Sequence, residues 1–143
     1  MTVKEFEEYL MEGIVKKQTP DFMRAKSLLQ ELEQSYEILN EFIDKFGVSD
    51  RNANYVIKNT YDIIMELIRS RMLHDGFSSV GKGAHESEVA YLRKLGFDEI
   101  DVEFADKLRF FRNGITYYGK IYGKDYAEKV VNFLEKIYPR LKK

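Results

Sequence analysis

The chain contains no cysteine, only two prolines, and no apolar run near the ~20 residues that a bilayer-spanning helix requires. The missing cysteine excludes disulfides, thiolate zinc sites and cysteine nucleophiles. Scarce proline beside long periodic stretches argues for helices rather than a sandwich or barrel. The first residues, MTVKEFEEYLMEGIVKK, are acidic and amphipathic and lack a signal-peptide core, so the expectation is a cytoplasmic protein with no membrane partner. Net charge is nearly absent at −1, so bulk electrostatics recruits neither nucleic acid nor lipid. Glu5, Glu7, Glu8 and Glu12 gather carboxylates near the start, but no Glu-x-x-His pair completes a di-metal bundle site. They read as a solvated face, and neither a metal nor a cofactor is expected.

What is present suits one well-filled domain spanning residues 1–143. A chain of this length buries roughly 68–70% of its unfolded surface, and a 44% apolar fraction with ten Phe and ten Tyr supplies the core. Charge is unevenly divided. Residues 1–75 carry ten basic and fourteen acidic side chains, whereas residues 76–143 carry thirteen and ten.

Thr2 and Glu5 have capping-box spacing, which predicts a short first helix to about Lys17. Thr19-Pro20 sets a second start, with Pro20 in the first helical position. Phe22, Ala25, Leu29, Leu32, Tyr36, Leu39, Ile43 and Phe46 then alternate at intervals of three and four, a bundle-type seam closed by Gly47. Ser49 or Asp50 caps the next helix, which carries Val56, Ile57, Tyr61, Ile63, Ile64, Leu67, Ile68 and Met72 and ends near Asp75-Gly76. The short connection makes these two helices antiparallel neighbours. Residues 76–84 read as a flexible loop, followed by a short helix from His85 to Leu95. Asp98 caps a long stretch reaching Tyr122, and a last helix starts at Lys124 or Asp125. The predicted fold is an all-α, up-and-down antiparallel bundle of four long helices with one or two short ones.

The helix after Asp98 is the informative one. At 100° per residue, Phe104, Leu108, Phe111, Ile115, Tyr118 and Tyr122 fall within about 40° of one direction and form the predicted core stripe. Arg109, Phe110, Asn113, Thr116, Tyr117 and Lys120 fall on the far side, with Arg112 at the edge. Aromatic side chains, arginine and asparagine outside a core have the composition of an interface or binding face. Gly114 is a possible kink between the two halves of that face.

The segment FFRNGITYYGK, residues 110–120, resembles the HEPN motif, in which an arginine, usually followed by a polar residue such as Asn, precedes a histidine. Arg112 and Asn113 match its start, and Tyr117 stands where that family carries histidine. The stretch from HESEVAYLRKLGF to EKIYPRL is also similar to archaeal HEPN proteins, so the likeness covers roughly residues 85–141. The resemblance implies a HEPN-like bundle that homodimerises near its arginine-bearing helix, with Phe110 and Tyr117 at the dimer interface. It also implies RNA or a nucleotide as ligand, and a small nucleotidyltransferase partner in a toxin–antitoxin pair. Many members are metal-independent ribonucleases, in which histidine assists proton transfer and arginine stabilises phosphate charge. By that likeness Arg112, Asn113 and Tyr117 take the catalytic positions. Arg109, Thr116, Lys120, Lys82 and His85 are the nucleotide- or RNA-binding candidates.

Chemistry separates these roles. A general base works best with a pKa near the operating pH; histidine near 6.5 qualifies, whereas tyrosine near 10 is protonated and suits stacking or hydrogen-bond donation. Arg112 keeps the forked, always-charged guanidinium that grips phosphate in bidentate fashion. Only two histidines exist. His74, at a helix C-terminus, suits a cap favoured by the helix dipole. His85 reads either as a surface residue or as a base that reaches the Arg112 face. GFSSVGKG, residues 76–83, falls short of a P-loop because Gly83 replaces the magnesium-binding hydroxyl residue and a helix precedes it. Three functions follow: a nucleotide- or RNA-binding interaction module, a metal-independent endoribonuclease, or a structural dimerisation bundle.

Overall fold

The computed structural model describes residues 3–142. Within them lie helices α1 (Phe6–Met11), α2 (Phe22–Phe46), α3 (Ala53–Asp75), α4 (Ala84–Lys94), α5 (Glu99–Tyr118) and α6 (Lys124–Lys142). Two three-residue strands, β1 (Val15–Lys17) and β2 (Phe77–Ser79), precede α2 and α4. The class is all-α, with four long helices and two short ones. No helix among the described residues is long and apolar enough to cross a membrane.

Helix α3 is the axis of the molecule. Its buried side chains, from Ala53 to Leu73, are not confined to one stripe, because α2, α4, α5 and α6 all pack on it. Ring contacts fix the directions. Phe22 meets His74 and Phe42 meets Tyr55, at 4.8 and 4.9 Å, so α2 and α3 are antiparallel. Phe104 meets Phe133 at 4.5 Å and Lys136 Nζ donates to Asp101 at 2.7 Å, so α5 and α6 are antiparallel as well. At one end Asn54 bonds Lys120 O and Tyr122 N, and at the other Arg71 Nη1 donates to Arg140 O. Helices α3 and α6 therefore run parallel, as the second and fourth members of an up-and-down series must.

Several local expectations are corrected. Thr2, the predicted first cap, lies outside the described residues; α1 starts at Phe6 and ends at Met11 rather than Lys17. Gly13, at φ 78°, turns the chain into β1, which pairs antiparallel with β2 through Val15↔Ser79 and Lys17↔Phe77. The segment read as a flexible loop is thus partly a strand. Gly76 makes the close pass possible. It adopts φ 94°, its carbonyl accepts from Gln18 N at 2.9 Å, and a Cβ there would stand 2.7 Å from Gln18 O.

Helix α2 begins at Phe22, with Asp21 rather than Thr19 as N-cap; the Asp21 carboxylate accepts from Arg24 N. The α2 seam is buried at Ala25, Leu32 and Leu39, while Phe22 and Phe46 at its ends stay exposed. Neither Ser49 nor Asp50 is the N-cap of α3, which is Asn52. Ser49 instead locks the loop with Asn52, and Asp50 Oδ1 accepts the Lys124 N–H at the start of α6, 2.8 Å away. Asp98 caps α5 as predicted, accepting from Asp101 N. That helix ends at Tyr118, short of Tyr122.

Candidate functional site

The rotation of α5 differs from the one its aromatic residues suggest. Its buried line is Asp101, Val102, Ala105 and Leu108. Phe104, Ile115 and Tyr122 pack only partly against the core, Phe111 is half-buried against Tyr122 and Tyr126, and Tyr118, predicted inside, is 77% exposed. The cause is a buried acid and a small residue holding inward places: Asp101 is sheltered because Lys136 pairs with it at 2.7 Å, and Ala105 lets the helices approach. Turning the stripe brings Arg109 and Arg112 toward α3 and α4, away from the open face assigned to Arg109. Gly114 sits within an unbroken helix. A Cβ there would meet the Tyr122 hydroxyl at 3.2 Å and Lys120 Cγ at 3.3 Å, so glycine admits the chain folding back after Gly119.

The arginines enter a polar cluster built around Tyr61 and Glu88. Arg112 Cζ lies 5.5 Å from the centroid of the Tyr61 ring, and the His85 ring is centred 6.3 Å from the same centroid. His85 Nδ1 stands 3.2 Å from Glu88 Oε1. Arg69 donates to both Glu88 oxygens, at 2.9 and 3.1 Å, and Ser79 Oγ donates at 3.0 Å. Glu88 is 1% exposed. Burial opposes its ionised form, yet hydrogen bonds from His85 and Arg69 prevail and hold the carboxyl below the usual range. Burial pushes the Tyr61 phenol well above its ordinary range, leaving it protonated.

Arg109 is committed within the cluster: Nε and Nη2 reach Asp106 at 3.1 and 3.0 Å, and Nη1 lies 3.7 Å from Glu86. Arg112 is held more loosely. Its only ionic contact among the described residues is Asp62, at 3.6 Å, and its Nε is buried without a hydrogen-bond partner. Arg69, Arg109 and Arg112 face Asp62, Glu86, Glu88 and Asp106, so the cluster has no basic field to draw in an anion. What it offers is one under-satisfied guanidinium beside an aromatic ring and a carboxylate-held histidine.

The structure therefore joins Arg112, Arg109 and His85 and separates the remaining candidates. Tyr117, five residues after Arg112 and about 140° around the helix, is 70% exposed, and Phe110 is 66% exposed. Asn113 is half-buried, while Thr116, Lys120 and Lys82 are exposed. Lys120 contributes its carbonyl to Asn54. His74 lies in the last turn of α3, with Nδ1 3.3 Å from Asp75 and its ring against Phe22. No metal-binding group of His, Asp and Glu occurs among the described residues.

Sequence reasoning passed over Tyr61, Arg69 and Glu88. Glu88 carried a signal, since His85 and Glu88 have the i, i+3 spacing that places two side chains on one helix face. Tyr61 was counted as core, which it also is. Comparison with known proteins adds nothing to this picture: no family model, curated protein or solved structure matches the chain.

Proposed function

We propose that this protein is a HEPN-like nucleotide- or RNA-binding module that acts as a homodimer, with Arg112 as its phosphate-binding residue. The observation that carries the reading is the buried, unpartnered Nε of Arg112 beside Tyr61 and near His85. A phosphate oxygen would satisfy that nitrogen and replace the loose contact to Asp62. Support for the homodimer comes from Phe110, Tyr117, Tyr118 and Ile121, which expose apolar surface on the last turns of α5 and just beyond it. A small nucleotidyltransferase remains the proposed protein partner, on the resemblance of residues 110–120 alone.

Titration of the wild type and Arg112→Ala with ATP and with a short single-stranded RNA tests this reading. The expected result is saturable binding that falls about tenfold in the variant, the loss of one charge-assisted contact. Equal affinity of the two proteins, or no saturation, removes Arg112 as the phosphate-binding residue. A strict monomer by light scattering removes the homodimer.

The His85–Glu88 contact favours a second reading, metal-independent RNA cleavage. In that reaction the ribose 2′-oxygen bonds to phosphorus as the bond to the 5′-oxygen breaks, giving a cyclic phosphate. His85 would take the 2′-hydroxyl proton, Arg112 would balance phosphate charge, and the leaving oxygen would gain a proton from a second donor. Cleavage that persists in EDTA and disappears in His85→Ala supports it; an inert wild type rejects it. Tyr117→His tests the motif position separately, since gain of cleavage would place residue 117, rather than His85, at the reacting phosphate.

A further inference from the structure

A cleft of about 470 Å³ opens at the tip of the α2–α3 hairpin, lined by Phe42, Phe46, Ser49, Arg51, Asn52 and Tyr55. Phe42 lies between the other two rings, 5.1 Å from Phe46 and 4.9 Å from Tyr55, so the three form a continuous aromatic wall. Phe46 is 62% exposed and Tyr55 50%. The loop facing them is fixed in place: Ser49 N donates to Asn52 Oδ1 and Asn52 Nδ2 donates to Gly47 O, each at 2.9 Å. The cleft is preformed.

Its charge has one sign. No carboxylate lines it. Arg51 on the rim is exposed and has no ionic or hydrogen-bond partner among the described residues. Lys45 Nζ lies 5.5 Å from the Phe46 ring, while the adjacent acid, Asp50, is engaged with Lys124 N. Aromatic faces accept flat rings of any identity, and an unpaired guanidinium selects carboxylate or phosphate. The volume falls within the roughly 300–1,000 Å³ typical of small-molecule sites.

We propose that this cleft binds a small planar aromatic anion, its ring stacked on Phe46 or Tyr55 and its acidic group paired with Arg51. Both a simple aromatic acid and a nucleotide carry that chemistry. The site does not involve Arg112 and stands apart from the function proposed above.

Amide NMR titration with phenyl phosphate, 5′-AMP and inorganic phosphate tests it. Phenyl phosphate or AMP is expected to shift the amides of residues 46–55 to saturation, and inorganic phosphate is not. Tighter binding of AMP identifies a nucleotide as the source, tighter binding of phenyl phosphate a simple aromatic acid, and either ranking supports the site. Arg51→Ala, whose melting temperature should match the wild type, is expected to weaken binding about tenfold. Phe46→Ala should weaken it with the fold intact. Absence of saturation, equal shifts with inorganic phosphate, or unchanged binding in Arg51→Ala overturns the proposal. Shifts centred on α3 and α5 around Arg112 would also overturn it while leaving the phosphate reading of Arg112 standing.

Discussion

The two halves of α5 treat their side chains in opposite ways. From Asp98 to Leu108 the helix is capped, paired to α6 through Asp101 and Lys136, and buried along Val102, Ala105 and Leu108. From Phe110 onward it exposes Phe110, Tyr117 and Tyr118, while Ile115 stays partly packed on the core and Arg112 reaches Asp62 of α3. Ile100 apart, the first half commits its apolar surface to the fold, and the second leaves three aromatic rings available for a partner. One helix thus anchors at its start and presents at its end, with Arg112 at the changeover.

Leu108→Ala should produce the largest effect. The side chain is fully buried, and deletion of this kind costs about 2–5 kcal/mol through lost transfer energy and the cavity left behind. Urea denaturation measures it. A cost below 1 kcal/mol would mean that the first half of α5 is not the anchor.

Glu88→Gln should follow, at about 1–2 kcal/mol, because the buried position loses its charge-assisted hydrogen bonds while Arg69, 36% exposed, keeps access to solvent. The pH dependence has a definite sign. A carboxyl held below its unfolded value contributes stability that is complete above the ordinary range near 4.3 and is lost as pH falls through the depressed value. Wild-type stability should therefore decline as pH falls below about 4.3, and the variant should show a flatter acid limb. Identical acid limbs would show that Glu88 gains nothing from its partners on folding.

The comparison also explains what could be read from the residues and what could not. Long apolar periodicity located all four major helices, and Asp98 was recognised as a cap from its place before a periodic run. The α3 residues chosen as core are buried, because a central helix hides nearly every apolar side chain whichever way it turns. In α5 the large aromatic residues point to one rotation and the helix adopts another, because Asp101 and Ala105 hold inward places. Burial of an acid depends on Lys136, 35 positions away, which helical spacing does not reveal. The β1–β2 pair was hidden for a similar reason: its strands are three residues long and meet only after α2 and α3 have folded back. At the candidate site, Arg112 and His85 were visible singly, whereas the ring that brings them together belongs to a residue already assigned to the core.

The smallest effect is expected at the presenting end. Tyr117→Ser with Tyr118→Ser removes two rings that are 70% and 77% exposed, and surface substitutions of this kind shift monomer stability by within about 0.5 kcal/mol each. If the second half of α5 serves association, the double variant should dissociate on light scattering at concentrations where the wild type is a dimer, while its low-concentration denaturation curve stays in place. A loss of several kcal/mol in the dilute monomer would show that these rings belong to the fold, and the contrast between the two halves of α5 would disappear.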